Sequence, residues 1–309
     1  MSVGAGFWLA LGEPGMTAPL SARLLAWQQE GTWMNWRGQR VFYKMAGTGP
    51  ALLLVHGYPV GSYDWHAIWQ SLQRHFTLIA PDMLGHGFSS QPIDGDYSLR
   101  AHAQMHDALL AHLGVTRCQV IAFDLGVSVA QEMLAQRLDT PALPKMESLI
   151  LLNGGVCPEA YQPRLIQRLM LTRIGPWLGP RLPKAMFAKT ITQMYQGLSD
   201  APSAELLDDF WALFCHGGGQ AVAHRVGAFW QERKALSKRL LGALLMSPIR
   251  LRLINGSADP NSGEHMVKAF LQHQPRADVI RLPGMGHWPQ IQAPQDVLGA
   301  SLMFLHANT

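Results

Sequence analysis

Three side chains able to serve as nucleophile, acid and base stand just beyond three apolar runs: Asp124, Asp259 and His287. Cys118–Phe123 reads as a short buried strand, Asp124-Leu-Gly126 as a sharp turn, and Val127–Leu138 as an apolar helix. A small residue two before a nucleophile and a glycine two after it permit a strained turn that lifts one side chain above a sheet. Ala122 and Gly126 fill those places. A carboxylate lifted in this way attacks carbon directly and forms an ester with its substrate. The bland alternative is an aspartate that caps the following helix, a common role for this residue. The partners of Asp124 argue against it. Asn255-Gly-Ser-Ala-Asp259-Pro follows a late apolar run, and Gly284-Met-Gly-His287-Trp-Pro follows the last one. His56-Gly57-Tyr58-Pro59 follows the strongest run, where a turn supplies one backbone N–H of an oxyanion hole and the residue after the nucleophile supplies the other. Those two residues are Tyr58 and Leu125. The order of these turns along the chain predicts a triad with Asp124 as nucleophile, Asp259 as acid and His287 as histidine.

Such groups need a frame. Arg40–Met45, Ala51–Val55, Thr77–Ala80, Gln119–Ala122, Ser148–Leu152, Ile249–Ile254 and Asp278–Leu282 read as strands, several of them continuously apolar as expected of strands buried on both faces. Helical patterns lie between them at Trp65–Arg74, Ser98–Leu113, Leu125–Leu138, Gly263–His273 and Pro294–His306. This alternation predicts an α/β fold with a mostly parallel central sheet and helices on both faces. The interval from 154 to 245 breaks the rhythm. It shows no convincing strand but has helical patterns at Ala204–Phe214 and Ala221–Leu236, and so reads as an inserted helical cap. The expected organisation is an N-terminal arm at 1–30, a core at 31–153 and 246–309, and the cap at 154–245.

Residues 33 to 306 resemble the α/β-hydrolases of the branch containing epoxide hydrolases and haloalkane dehalogenases, which use an aspartate nucleophile. The chain order of nucleophile, acid and histidine is that of this fold. Within the branch, His56-Gly-Tyr-Pro-Val-Gly-Ser-Tyr-Asp-Trp65, Asp82-Met-Leu-Gly-His-Gly-Phe-Ser89 and Leu152-Asn-Gly-Gly-Val-Cys-Pro-Glu159 are most similar to the mesoderm-specific transcript family. The resemblance implies ester formation at Asp124 and hydrolysis of that ester by water that His287, oriented by Asp259, activates. Haloalkane dehalogenases hold the halide with a Trp after the nucleophile and an Asn in the turn after the first buried strand. Leu125 and Tyr58 stand there instead. Epoxide hydrolases protonate the opening oxygen with two cap tyrosines. Tyr195 occupies the place of the first, and none stands near Ala228–Trp230 for the second. The expected catalytic set is therefore Asp124, His287, Asp259 and Tyr195, with His56, Pro59, Tyr161 and Trp288 around the pocket and Tyr161 read as structural. Epoxide hydrolysis leads. Haloalkane or β-lactone opening by the same carboxylate, a serine-type esterase through Ser128, and a non-catalytic binding protein of the same fold are the alternatives.

The bulk numbers narrow the partners. In 309 residues, 48% are hydrophobic, 15% are charged and the net charge is +4, with no basic run dense enough to track phosphates, so nucleic acid is not expected. Arg37, Arg40 and Lys44 read as a solvated strand face, and His102 and His106 as surface histidines without the glutamate of a zinc motif. No metal or cofactor is expected, only a small apolar electrophile and water. Cys118, Cys157 and Cys215 are scattered, and no signal peptide or membrane-spanning run is apparent, which suggests the cytoplasm. The sequence leaves the oligomeric state open.

Overall fold

The computed structural model describes residues 18–140, 142–195, 197 and 201–307. Helix α1 (Ala22–Gln29) starts at Ser21, whose Oγ accepts a hydrogen bond from Leu24 N at 3.3 Å. It leads into an antiparallel pair, β1 (Gly31–Trp36) and β2 (Gln39–Ala46). Strands and helices then alternate through β3 (Ala51–Val55), α2 (His66–Leu72), β4 (Thr77–Pro81), α3 (Leu99–His112), β5 (Arg117–Asp124), α4 (Leu125–Asp139) and β6 (Lys145–Gly154). The chain next leaves the sheet for a helical insertion: α5 (Leu165–Met170), α6 (Gly175–Leu178), α7 (Lys184–Met194), α8 (Ala204–Cys215), α9 (Gly219–Val226), α10 (Phe229–Ala235) and α11 (Ser237–Met246). It returns through β7 (Arg250–Gly256), α12 (Glu264–His273), β8 (Asp278–Leu282), α13 (Pro289–Gln292) and α14 (Pro294–His306).

The sheet runs β1-β2-β4-β3-β5-β6-β7-β8, with β3 to β8 parallel and β1 and β2 antiparallel to their neighbours. Alternation along each strand sorts side chains into two cores. Leu52, Leu54, Ile121 and Phe123 face α2 and α14, joining Ile68, Leu72, Val297 and Phe304. Leu53, Val55, Val120 and Ala122 face α3 and α4, joining Leu109, Leu110, Val129 and Met133. Each such aliphatic side chain contributes about 1.5–3 kcal/mol on burial, so the strands that carry the chemistry are also the best anchored.

Some expectations need correction. β1 was not anticipated, because Gly-Thr-Trp-Met-Asn-Trp buries only Met34 and lacks a continuous apolar signature. Of the arm expected at 1–30, residues 1–17 lie outside the described residues, whereas 22–29 form α1 with Leu24 and Trp27 buried. The single helix expected at 221–236 is two helices, α9 and α10, separated at Gly227 and Ala228. Lys44 is not on a solvated face: it is 3% exposed, bonds Glu30 at 2.6 Å and lies 3.8 Å from the centre of the Trp27 ring. His102 and His106 are buried too, because α3 packs that face inward, and His106 Nδ1–H donates to the His102 carbonyl at 2.7 Å.

Candidate active site

β5 ends in a conformation that L-residues rarely adopt. Asp124 has φ 48° and ψ −108°, one of two non-glycine residues with positive φ among the described residues. Asp124 sits at the start of α4, yet its side chain makes no capping bond there. Instead Asp124 Oδ2 accepts from Tyr58 N at 3.0 Å, across the turn that follows β3. Close approach demands the small neighbours. A Cβ on Gly126 would lie 2.2 Å from the Val55 carbonyl oxygen, and one on Gly57 would lie 2.8 Å from Asp124 Cβ. The helix-cap reading of Asp124 therefore fails on geometry.

β7 and β8 bring the other two groups to the same sheet edge. His287 Nδ1–H donates to Asp259 Oδ2 at 2.8 Å, and His287 Nε2 points at Asp124 Oδ1 from 3.7 Å, beyond direct hydrogen-bond reach. Asp259 also accepts from Ser262 Oγ at 2.6 Å, Asn153 Nδ2 at 3.0 Å and Asn261 N at 2.8 Å. Burial alone would raise the Asp259 carboxyl, but His287, Ser262 and Asn153 hold it below the usual range. Burial alone would lower the imidazole. The Asp259 charge outweighs burial and holds His287 above its ordinary value, with a further contribution from Asp124.

A third carboxylate lies behind this pair, unforeseen from the sequence. Asp64 accepts from Gly57 N at 3.1 Å and from Trp288 Nε1 at 3.0 Å, tying the turn that carries Tyr58 to the loop that carries His287. Burial pushes its carboxyl up to about 7, against the pull of those two donors. Asn153 was also missed. Its side chain spans Asp259 and the Gly256 backbone, which clamps β6 to the acid turn.

Asp124 lines a cavity with about 770 Å³ of empty space, part of it open to solvent. Its walls come largely from the helical insertion, with Met170, Leu182, Phe187, Ile191 and Phe214 giving them an apolar character. Tyr58, Pro59 and Tyr161 also line it. The Tyr161 hydroxyl oxygen accepts from Gln167 Nε2 at 3.0 Å and from Asn261 Nδ2 at 3.1 Å. The Gln167 orientation is fixed, since its Oε1 accepts from Arg164 N at 2.7 Å. With both acceptor positions used, the phenolic proton is left to donate. Beneath Tyr161 lies Arg233, fully buried, its guanidinium 4.7 Å from the Tyr161 ring centre and 4.9 Å from that of Phe229. Arg233 Nε donates to Ser128 Oγ at 2.6 Å, while Nη1 and Nη2 have no hydrogen-bond partner among the described residues. Burial lowers the Arg233 pKa; Tyr161 and Asp124 oppose that fall.

The structure thus brings Asp124, His287, Asp259 and the Tyr58 and Leu125 positions together, with Pro59 and Tyr161 at the cavity. It does not bring Tyr195, His56 or Trp288 to the cavity wall. Tyr195 follows α7 and turns inward to stack on Trp288 at 5.5 Å, and its hydroxyl has no partner among the described residues. Trp288 is spent on Asp64. Both His56 nitrogens are engaged: Nδ1–H donates to the Gly57 carbonyl at 2.7 Å and Nε2 accepts from Met83 N at 2.8 Å. Ser128 lies one turn inside α4, fully buried against Arg233, with no place for a substrate. Among the described residues no group of His, Cys, Asp or Glu side chains could hold a metal ion, and no helix is long and apolar enough to cross a membrane.

Comparison with known proteins agrees with this architecture. The family described as alpha/beta hydrolase fold matches residues 50–294. The mesoderm-specific transcript homolog protein of Bos taurus is 33% identical over 302 residues, covering 93% of this chain and 89% of its own. An alpha/beta hydrolase fold protein from Burkholderia ambifaria superposes with a TM-score of 0.75 at 26% identity, over 88% of this chain and 96% of that one. The epoxide hydrolase CorEH superposes with a TM-score of 0.72 at 22% identity, over 90% and 99% of the two chains, a likeness of fold. The chain belongs to the α/β-hydrolase family and is related along nearly its whole length to the mesoderm-specific transcript proteins.

Proposed function

We propose that the protein is an epoxide hydrolase in which Asp124 is the nucleophile and the helical insertion is the cap that closes the pocket. The observation that carries this reading is the Asp124 carboxylate, held on a strained turn and lining an apolar cavity that Tyr161 also lines. An Asp124 oxygen attacks an epoxide carbon. The carbon–oxygen bond breaks, its electron pair goes to the ring oxygen, and that oxygen takes the Tyr161 proton. The donor role expected of Tyr195 passes to Tyr161, because Tyr195 is stacked away on Trp288.

Esterification removes the Asp124 charge, and with it one of the influences that raise His287. The imidazole then gives up its proton more readily and is neutral, free to accept one, at the moment water must be activated. His287 takes a proton from water as the water oxygen attacks Asp124 Cγ. The Tyr58 and Leu125 amides meet the resulting oxyanion, a contribution of about 3–4 kcal/mol per donor in comparable sites. Collapse breaks the bond between Cγ and the alkyl oxygen. The departing alkoxide takes the His287 proton, and the Asp124 acid returns its own proton to the tyrosinate. Haloalkanes are less well served, since Leu125 and Tyr58 offer no side-chain N–H for a halide. Three free, buried cysteines suit a cytoplasmic setting.

The test is a single turnover in 18O-water with an aryl epoxide. The mechanism places 18O in the peptide containing Asp124. Label confined to the diol would show direct attack by water and end the covalent reading.

A further inference from the structure

The helical insertion carries an uneven charge. From Ala160 to Ser199 there is no acidic residue, while Arg164, Arg168, Arg173, Arg181, Lys184 and Lys189 place more positive charge there than the +4 of the whole chain. The rest of the molecule is therefore net acidic. The same stretch exposes large apolar side chains: Leu165 is 73% exposed, Ile174 42% and Trp177 39%.

These features share two short consecutive helices. Leu165 and Arg168 are three apart on α5, so they share a face, and both are exposed. Arg173 and Ile174 follow in the exposed connection, and Trp177 is exposed on α6. Some of the cations are spent within the fold. Lys184 pairs with Asp208 at 2.7 Å, Arg164 bonds Gln193, and the Arg181 guanidinium lies 4.8 Å from the centre of the Trp177 ring. Arg168 and Arg173 pair with no carboxylate among the described residues. Exposed apolar groups interleaved with unpaired arginines do not suit water alone. They match an interface that is anionic at its surface and apolar just beneath, where such side chains sink into the headgroup boundary and arginines meet phosphates. A tryptophan at the edge of the patch fits that boundary as well.

We propose that the α5–α6 face docks this protein on an anionic lipid surface. The opposite side of α5 contributes Ile166, Gln167 and Met170 to the cavity wall. Docking thus sets the cavity about one helix diameter, roughly 10 Å, from the acyl chains. A poorly water-soluble substrate then has a short route from lipid to Asp124. The inference stands on surface composition and holds whichever electrophile the site opens.

The test is cosedimentation of the full chain with vesicles of phosphatidylcholine alone or with roughly one-third phosphatidylglycerol. Binding should be at least about tenfold tighter to the anionic vesicles and should weaken in high salt. The double variant Arg168→Glu/Arg173→Glu should lose about tenfold or more on anionic vesicles. Leu165→Ser/Ile174→Ser should also lose about tenfold on vesicles while leaving retention on heparin unchanged. All four residues are exposed, and melting temperatures equal to the wild type would show the variants folded. Failure to bind anionic vesicles overturns the proposal. So does vesicle binding indifferent to Leu165 and Ile174, which would reduce the surface to a plain basic patch.

Discussion

At the sheet edge the two supporting carboxylates are heavily matched: Asp259 accepts from His287, Ser262, Asn153 and Asn261, and Asp64 from Gly57 and Trp288, while the His287 Nε2 that faces Asp124 has no hydrogen-bond partner among the described residues. In and under the helical insertion the pattern reverses. Arg233 keeps two nitrogens and Tyr195 a hydroxyl without a hydrogen-bond partner among the described residues, and the cavity walls are largely apolar. Buried polar groups left unmatched are costly, and sites that keep them are candidates for function. The contrast suggests a division of labour. The sheet edge fixes the reacting groups by over-determination, while the insertion meets the substrate with few polar contacts and a large apolar surface.

The comparison breaks most visibly at its polar end. Asp124→Asn should reduce diol formation by about 10⁴-fold or more, the scale for loss of a principal catalytic group, because an amide neither attacks nor regenerates. Residual turnover near wild type would move the nucleophile elsewhere. Next comes Tyr161→Phe, which retains the ring over Arg233 and removes the hydroxyl, both its proton and the oxygen that accepts from Gln167 and Asn261. It should slow epoxide turnover by roughly 10- to 1000-fold but slow hydrolysis of an alkyl halide less, since a halide leaves as an anion unaided. Equal losses on both substrates would make Tyr161 a positioning group only.

Arg233→Met separates function from stability. Replacing a buried, unpaired cation by an apolar side chain is often neutral or stabilising. The melting temperature should therefore hold or rise, while epoxide turnover falls by about tenfold, the scale of a desolvated cation–π contact with Tyr161. A large drop in melting temperature would instead make Arg233 a structural strut through Ser128.

The smallest effect concerns pH. The Asp64 carboxyl sits at about 7 in the folded protein against its usual 3.8, so between those values the folded chain holds a proton that the unfolded chain has released. Its contribution to stability is present in full below about 3.8 and lost as the pH rises through about 7. Asp64→Asn carries no such proton. The wild-type melting temperature, referred to the variant, should fall by several degrees from acid to mildly alkaline pH. A flat difference would show that Asp64 ionises as an ordinary carboxylate.

Much of the floor was legible in the sequence because its signals are local. A strand, a turn with Ala122 and Gly126, and an apolar helix fix where Asp124 stands, and the turns at Asp259 and His287 follow apolar runs in the same way. The insertion was less legible because its meaning lies in facing. Tyr195 follows a helix whose last turn directs it to Trp288, and nothing in the neighbouring residues announces that direction. Arg233, in Trp-Gln-Glu-Arg-Lys, looks like one more charge on a solvated helix until α10 is seen to bury it. Asp64 lay in plain view between Tyr63 and Trp65, but its role depends on two loops distant in sequence.

The central claim is that Asp124 forms an ester which His287 then helps to hydrolyse. His287→Gln should leave attack possible and stall hydrolysis. Intact-protein mass spectrometry of this variant after incubation with an aryl epoxide should show a mass increase of one substrate, mapped by digestion to the peptide that contains Asp124. No adduct from a broad panel of electrophiles, or an adduct mapped to Ser128, would contradict the account.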